Sequence, residues 1–201
     1  MKKIVFLFGL LMAASQWSFA QMDKSIKLNE VMTRNATNLQ DEYGNRGPWV
    51  EIANISHSTY NIRGMYITTD RAVLDETMSV PERVKRMSII PNGELRTNLS
   101  GQQHLVLFLN SSPTKGALHL TVDVDSVKPV WIALYDGNAT QLLDSITIPV
   151  MKADQSFARI SKDENKWEVK PYDAVTPGIS NYIQVSESKI DKLKREDPHG
   201  F

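Results

Sequence analysis

The sequence predicts an all-β fold, and three observations lead to this prediction. Short stretches in which apolar and polar residues alternate recur along the chain, as half-buried strands require. Turn-forming residues separate these stretches at short intervals. Between residues 26 and 170 no segment keeps the spacing of an amphipathic helix for long, and Pro81 is expected to break the one candidate, residues 72–85.

The strand pattern is carried by short segments spread over the middle of the chain. They are 26–32, 49–54, 61–70, 86–90, 103–109, 118–124, 130–135 and 142–148. The Asp136-Gly137-Asn138 step between the last two segments is a strong hairpin signal. Many short strands with this spacing indicate a β-sandwich or a barrel.

Composition excludes several classes of protein. The 201-residue chain has 23 basic and 23 acidic side chains and no cysteine, and 41% of its residues are apolar. It is long enough to bury a core and too apolar to be disordered throughout. The lack of cysteine excludes a disulfide scaffold, a zinc finger, an iron–sulfur site and a thiol nucleophile. The balanced charge argues against a nucleic-acid partner.

The first twenty residues have the order of a secretory signal peptide. A cationic start, Met1-Lys2-Lys3, precedes an uncharged run from Ile4 to Ala14, and small residues stand at Ser18 and Ala20. The uncharged run is too short to cross a bilayer, which needs about 20 residues. We therefore expect residues 1–20 to be a leader and the chain to be exported to the periplasm or cell surface of a Gram-negative-like bacterium.

The end of the chain differs from the rest. Residues 185–197 are densely charged, with Ile190 and Leu193 as an apolar pair at helical spacing, and Pro198 is expected to end any helix. Such a segment cannot bury itself, so residues 184–201 are predicted to form a charged helical stalk or linker.

A series of short motifs resembles the lamin-tail domain in its bacterial branch. Each motif taken alone is weak evidence for the family, but six of them in the family's order over most of the chain are specific for it. The motifs are Leu28-Asn29-Glu30-Val31, Trp49 to Asn54, Ile62 to Asp70, Leu134 to Gly137 with Leu143 to Ile146, Asp154 to Arg159, and Trp167 with Thr176 to Asn181.

The resemblance implies that residues 21–183 form an immunoglobulin-like β-sandwich that serves as a non-catalytic interaction module. Residues 71–85 and 91–102 are longer and more polar than the usual connections of the family. The motif residues are expected to act mainly in structure; Asn29, Glu30 and Asn54 would satisfy loop N–H groups, and Pro177-Gly178 would end the last strand. The full set is Asn29, Glu30, Trp49, Glu51, Asn54, Gly64, Asp70, Ser156, Arg159, Trp167, Pro177, Gly178 and Asn181.

Sequence signals for catalysis and for metal binding are weak. There is no Gly-x-Ser-x-Gly elbow, and His57, His104, His119 and His199 are scattered without ligand spacing. Three acidic residues, Asp123, Asp125 and Asp136, are a minor calcium candidate. We therefore expect no catalytic residue, no metal ligand and no cofactor.

Aromatic side chains provide the one candidate ligand surface, a sugar platform. Trp131 and Trp167 lie in predicted strands, where core packing is the expected role. Trp49 with Tyr66 or Tyr172 is the candidate exposed pair.

Two functions follow from the sequence. The leading one is an exported scaffolding module that binds a protein or a cell-surface glycan through its loops and an open sheet edge. The alternative is a periplasmic extension of a single-pass accessory subunit, because the charged tail resembles the approach to a transmembrane helix in small gamma subunits of sodium-pumping oxaloacetate decarboxylases. That alternative requires a membrane segment beyond Phe201, and an apolar run encoded there would support it. A hydrolase is a third, less supported reading.

Overall fold

The chain is all-β. The computed structural model describes residues 25–111, 116, 118–161 and 165–181, so the predicted leader and the predicted stalk lie outside the described residues. None of the helices within these ranges is long and apolar enough to cross a membrane.

The described strands form two larger sheets and a two-stranded ribbon. The six-stranded sheet has the order β12-β11-β1-β2-β7-β8, and its strands are β12 (Trp167–Lys170), β11 (Ser156–Arg159), β1 (Ile26–Met32), β2 (Trp49–Asn54), β7 (His104–Leu109) and β8 (His119–Leu120). The four-stranded sheet consists of β10 (Leu142–Ile148), β9 (Val130–Tyr135), β4 (Tyr66–Thr68) and β5 (Ser88–Ile89). The ribbon pairs β3 (Tyr60–Asn61) with β6 (Asn98–Leu99).

Antiparallel pairing dominates among the described strands. Only β7 and β8 run parallel among the described pairs. The predicted hairpin between β9 and β10 forms, and its turn begins with Asp136, which accepts hydrogen bonds from the backbone N–H groups of Thr140 (2.8 Å) and Gln141 (2.9 Å).

One hydrophobic cluster joins the two larger sheets. It takes inward side chains from β1, β2 and β7 on one side and from β4, β9 and β10 on the other. Successive side chains of a strand point to opposite faces, so Ile132 and Leu134 of β9 face the shared core, while Trp131, Ala133 and Tyr135 face away from it.

The outward side chains of β9 are covered by residues 71–87, the longer connection noted in the sequence. Val73 and Met87 pack there against Trp131 and Tyr135, so the predicted packing role of Trp131 is confirmed. The candidate helix over residues 72–85 does not form as one element, as expected from Pro81. A short helix, α1 (Val80–Val84), has Pro81 in its first turn, where its missing N–H costs nothing.

Four predicted strands have the predicted bounds, and the others are shorter. The four are 26–32, 49–54, 130–135 and 142–148. The segment 61–70 divides at the turn around Gly64, and 118–124 keeps only the two residues of β8. The alternation did not predict β6 or β11, because two to four residues are too few to establish a period, whereas Trp167, which was expected to lie in a strand, begins β12.

Candidate functional site

Two glutamates stand side by side on the outer face of the six-stranded sheet. Glu30 on β1 and Glu51 on β2 are register partners, next to a shift in register between Leu28 and Glu30. Both residues are fully buried. The cover is residues 171–181, which we call the strap: it follows β12 and crosses this face.

Glu30 fastens the first part of the strap. It accepts hydrogen bonds from the Ser156 hydroxyl (2.5 Å), from the Thr176 backbone N–H (3.3 Å) and from the Thr176 hydroxyl (2.9 Å). All three partners are donors, and together they use both oxygens of the carboxyl group. The strap is thus tied to β1 and β11 through one side chain.

Glu51 fastens the middle of the strap. Its two oxygens accept hydrogen bonds from the Asn29 side-chain amide (2.6 Å) and from the Gly178 backbone N–H. Burial raises the pKa of Glu51 to about 7; the bonds from Asn29 and Gly178 lower it, the charge of Glu30 raises it, and Lys170 lowers it. Gly178 has a φ of 83°, so a glycine suits this turn.

The end of the strap is held by Asn181 and Lys170. The Asn181 amide donates to the Asn29 carbonyl at 3.0 Å. The Lys170 ammonium donates to the Thr176 hydroxyl at 2.9 Å and to the Asn181 side-chain oxygen at 2.8 Å. Several motif residues therefore meet in one network: Asn29, Glu30, Glu51, Ser156, Gly178 and Asn181.

Trp49 lies under the strap and is fully buried. It packs with Met32 and Phe108, and Val175 of the strap covers this cluster. The prediction that Trp49 belongs to an exposed aromatic pair is wrong. Trp49 lies on the outer face of β2, and the strap covers that face, which the local sequence pattern could not show.

The two other candidate ligand-facing residues lie far apart in the fold. Tyr66 is half-buried on the four-stranded sheet, against the cluster beneath residues 71–87. Tyr172 is 57% exposed at the start of the strap, on the other sheet. The described aromatic residues therefore do not form the predicted platform.

Arg159 and Asp144 connect the edges of the two larger sheets. The guanidinium donates to Asp144 at 2.7 Å and to the Leu28 carbonyl at 3.0 Å, and Asp144 also accepts the Leu28 N–H at 2.9 Å. These groups take the place of pairing with β11, which reaches only Glu30 and Val31 of β1. Burial raises the pKa of Asp144, opposed by the nearby charges of Arg159 and Lys27.

Trp167 packs against Arg159 on the neighbouring strand. Its ring stacks on Phe157, and the Arg159 guanidinium lies 4.8 Å from its centroid. The indole N–H donates to the Asn165 side chain at 2.7 Å. Trp167 is half-buried at the border of the core, so it positions Arg159 while it packs.

The remaining motif residues act locally. Asn54 donates to the carbonyls of Ser58, Leu99 and Ser100 and accepts the Ser56 N–H. Gly64 has the expected positive φ, 78°. Asp70 caps the turn at Arg71–Leu74, and the bonds from the Ala72 N–H and from Arg86 lower its pKa.

Pro177-Gly178 does not end the last described strand, contrary to the prediction. That strand, β12, stops at Lys170, directly before Pro171, and Pro177 stands in the strap instead. Proline has no N–H for strand pairing, so Pro171 is a sufficient reason for β12 to stop.

An open groove lies beside the strap. Residues 95–105 form one wall and residues 178–180 the other, around a volume of about 810 Å³. Leu95 is 89% exposed and Ile179 is 53% exposed on its rim. Arg96 forms two hydrogen bonds with Glu94, both 2.9 Å, which lower the pKa of Glu94 to about 2. The groove is thus apolar at its rim, and its arginine is already paired.

The histidine and calcium candidates are not brought together. His119 is buried and hydrogen-bonded to Asn110 (2.7 Å) and Glu42 (3.1 Å). Asp136 is occupied in the hairpin turn, and Asp123 and Asp125 lie beside another groove. Within the described ranges, no group of three or more histidine or acidic side chains could hold a metal ion.

Sequence reasoning gave no role to several residues that stabilise the fold. Lys170 escaped notice, and Thr176, Asp144 and Asp154 appeared only as motif members. Asp154 has a φ of 61° and accepts the N–H groups of Ala36 and Thr37. Burial would raise its pKa, but these bonds and that from the Thr37 hydroxyl outweigh burial and lower it. A charged residue within a short apolar motif is the signal that could have revealed these roles.

Comparisons with protein-family models, curated proteins and solved structures give no match to this chain.

Proposed function

We propose that the chain is an exported, non-catalytic interaction module, an immunoglobulin-like β-sandwich of the lamin-tail type, that binds a protein partner through the groove beside the strap. The fold part of the proposal is supported by two larger sheets that share one core. It is also supported by the network in which the motif residues meet. Export rests on the leader pattern of residues 1–20.

The observation that carries the function is the exposure of two aliphatic side chains on one open groove. Leu95 is the most exposed large apolar residue among those described, and Ile179 faces it across the groove. Scattered exposed apolar residues are ordinary, but a pair on the rim of a groove marks an interaction surface. The groove is open to solvent along its length and therefore suits a segment of another protein.

The lining of the groove favours a protein over a glycan. Aliphatic side chains occupy its rim, and its polar lining residues are mostly amides and hydroxyls; the guanidinium of Arg96 is already bonded to Glu94. Glycan platforms present the rings of Trp, Tyr or Phe, whereas this lining contains none of these residues and His104 is its one ring-bearing side chain. The partner segment is therefore expected to be uncharged and to insert apolar side chains.

The buried acids support a structural role over catalysis. Glu30, Glu51 and Asp144 accept hydrogen bonds from fixed groups of the chain itself. Their oxygens hold the strap and the sheet edges together, which gives each acid a sufficient reason to be buried. Buried, bonded acids of this kind rigidify the wall of the groove.

The test is capture of the partner by the full-length chain and by groove variants. Leu95→Asp introduces a charge at the rim and is expected to reduce recovery of the partner at least tenfold. Val127→Asp is the matched control, because Val127 is also exposed but does not line the groove. Equal loss of the partner with both variants, or with neither, would contradict the proposal.

A further inference from the structure

The strap is held by two buried carboxyl groups on neighbouring strands, and Lys170 is the cation near them among the described residues. Glu30 and Glu51 are register partners on β1 and β2, and both are fully buried. Lys170 donates its hydrogen bonds to Thr176 and Asn181 rather than to either acid. With both acids ionised, this enclosed cluster carries more negative than positive charge, which burial penalises.

Glu51 is the acid of the pair to which we assign the proton. Among the described contacts, its two oxygens accept hydrogen bonds from two uncharged donors, the Asn29 amide and the Gly178 N–H. Burial outweighs these bonds and raises the pKa of Glu51.

The cluster also contains an acceptor without a donor. The side-chain oxygen of Asn29 is buried and has no hydrogen-bond partner in the part of the chain that is described. It belongs to the same amide whose nitrogen bonds to Glu51. A buried acceptor of this kind costs free energy, and it shows that the donors of the cluster do not suffice for all of its acceptors.

The fastening of the strap and the wall of the groove are the same piece of backbone. Gly178 donates to Glu51, and the residues that follow it, Ile179 and Ser180, line the groove. Movement of the strap away from Glu51 therefore shifts the wall that carries Ile179. This connects the buried acids to the surface for which a partner is proposed.

We propose that Glu51 is a proton-dependent fastener of the strap: the protonated acid keeps the strap closed, and ionisation beside Glu30 loosens the strap and disturbs the groove. The effect on partner binding rests on the proposed function, whereas the effect on the strap does not. Partner binding is then expected to be tighter in mildly acidic than in mildly alkaline solution.

The charged groups around Glu51 determine the direction of the effect. Glu30 on β1 disfavours ionisation, and Lys170 at the end of β12 favours it. The neighbouring strand β7 places Val106 opposite Glu51; the strap carries Tyr172 and Asp173, both exposed at its start, and no titratable side chain from residue 174 to 181. The pKa of Glu51 is raised from 4.5 to about 7, so closure is fully stabilised below the lower value and loses that stabilisation as the pH rises to the upper one.

Hydrogen exchange of the strap measures this directly in the wild-type chain. After correction for the intrinsic rates, protection of the Thr176 and Gly178 N–H groups is expected to fall about a hundredfold from about pH 5 to pH 7, tenfold per pH unit for one proton, and then to level off. Protection that does not change over this range would overturn the proposal.

A pair of variants separates Glu51 from its neighbour. Glu51→Gln keeps an uncharged acceptor for the Gly178 N–H, so the strap should stay protected and lose its pH dependence. Glu30→Gln replaces a carboxylate, which only accepts hydrogen bonds, by an amide whose NH₂ group would point at the donors of Ser156 and Thr176. Protection of the strap N–H groups should therefore fall at every pH. A pH dependence that persists in Glu51→Gln would refute the assignment to Glu51.

The carboxyl ¹³C resonance of Glu51 provides a test that needs no variant to fold. A titration midpoint near pH 7 agrees with the proposal, and a midpoint near the ordinary value of 4.5 overturns it. Absence of a partner at the groove, together with a strap that responds to pH, would refute the proposed function and leave the proton-dependent strap intact.

Discussion

The buried ion pair between Arg159 and Asp144 makes a quantitative prediction about stability. Their side chains are only 5% and 10% exposed, and both also bond to the backbone of Leu28. The substitution Arg159→Met keeps most of the length of the side chain and removes its charge. Asp144 then loses its cationic partner and the Leu28 carbonyl loses the guanidinium N–H that donates to it, and both groups are buried.

The expected cost follows from these two losses. Removing one partner of a buried ion pair typically costs about 3–5 kcal/mol, and an orphaned buried carbonyl costs about 1–3 kcal/mol, with overlap between the two. We therefore expect Arg159→Met to reduce the free energy of unfolding by about 4 kcal/mol. This is a large share of the roughly 5–15 kcal/mol by which domains are stable.

Urea unfolding at neutral pH, followed by circular dichroism, measures this change. The matched control is Arg86→Met, because Arg86 also bonds an aspartate at 2.7 Å, but that pair is 47% and 41% exposed. The control should cost less than about 1 kcal/mol. Adding Asp144→Asn to Arg159→Met removes the unpaired charge and should restore part of the loss.

A cost below about 1 kcal/mol for Arg159→Met would refute this reasoning, since the pair would then contribute no more than a surface contact. Equal costs for Arg159→Met and Arg86→Met would have the same meaning.

Three further substitutions test local features. Gly64→Ala should reduce the free energy of unfolding in urea by about 1 kcal/mol, because Gly64 has a φ of 78° although its surroundings are open. Gly101→Ala should cost more, because the added Cβ would lie 2.7 Å from the His57 backbone, and equal costs would contradict this geometry. Asp154→Asn should destabilise the chain at neutral pH and have less effect in acid, because a lowered pKa contributes stability above the unfolded value that is lost as the pH falls. Urea unfolding at several pH values measures this, and a cost independent of pH would contradict it.

The strands that the sequence predicted well are those whose two faces differ in environment. In β9, Ile132 and Leu134 face the core, while Trp131 and Tyr135 face the second cluster, and the turn at Asp136 marks its end. Length and turn chemistry were enough to define such strands. The short strands β5, β8 and β11 depend on pairing with distant partners, which a local pattern does not contain.

The site was predictable in its members but not in its arrangement. The motif residues were identified as structural, yet their spacing could not show that Glu30 on β1 bonds to Thr176 on the strap across most of the chain. The same limit explains Trp49: alternation gave its face correctly, and only the path of the strap determines that this face is covered. The contacts that the strap makes over the face of the sheet leave no periodic pattern in the sequence.

The groove depended on details that no sequence pattern specifies. Leu95 and Ile179 are ordinary apolar residues in polar loops, and their exposure results from where residues 91–102 and the strap meet. The sequence indicated only that the first of these connections is unusually long. Long connections in compact domains are where binding surfaces are often found.

Site-specific photo-crosslinking in the cells that make the protein tests the central claim most directly. A photoreactive residue is introduced into the full-length chain at position 95, at position 179 or at position 127. The account predicts that one and the same partner is joined from positions 95 and 179 and not from position 127. A partner joined as efficiently from position 127 as from the groove would contradict it.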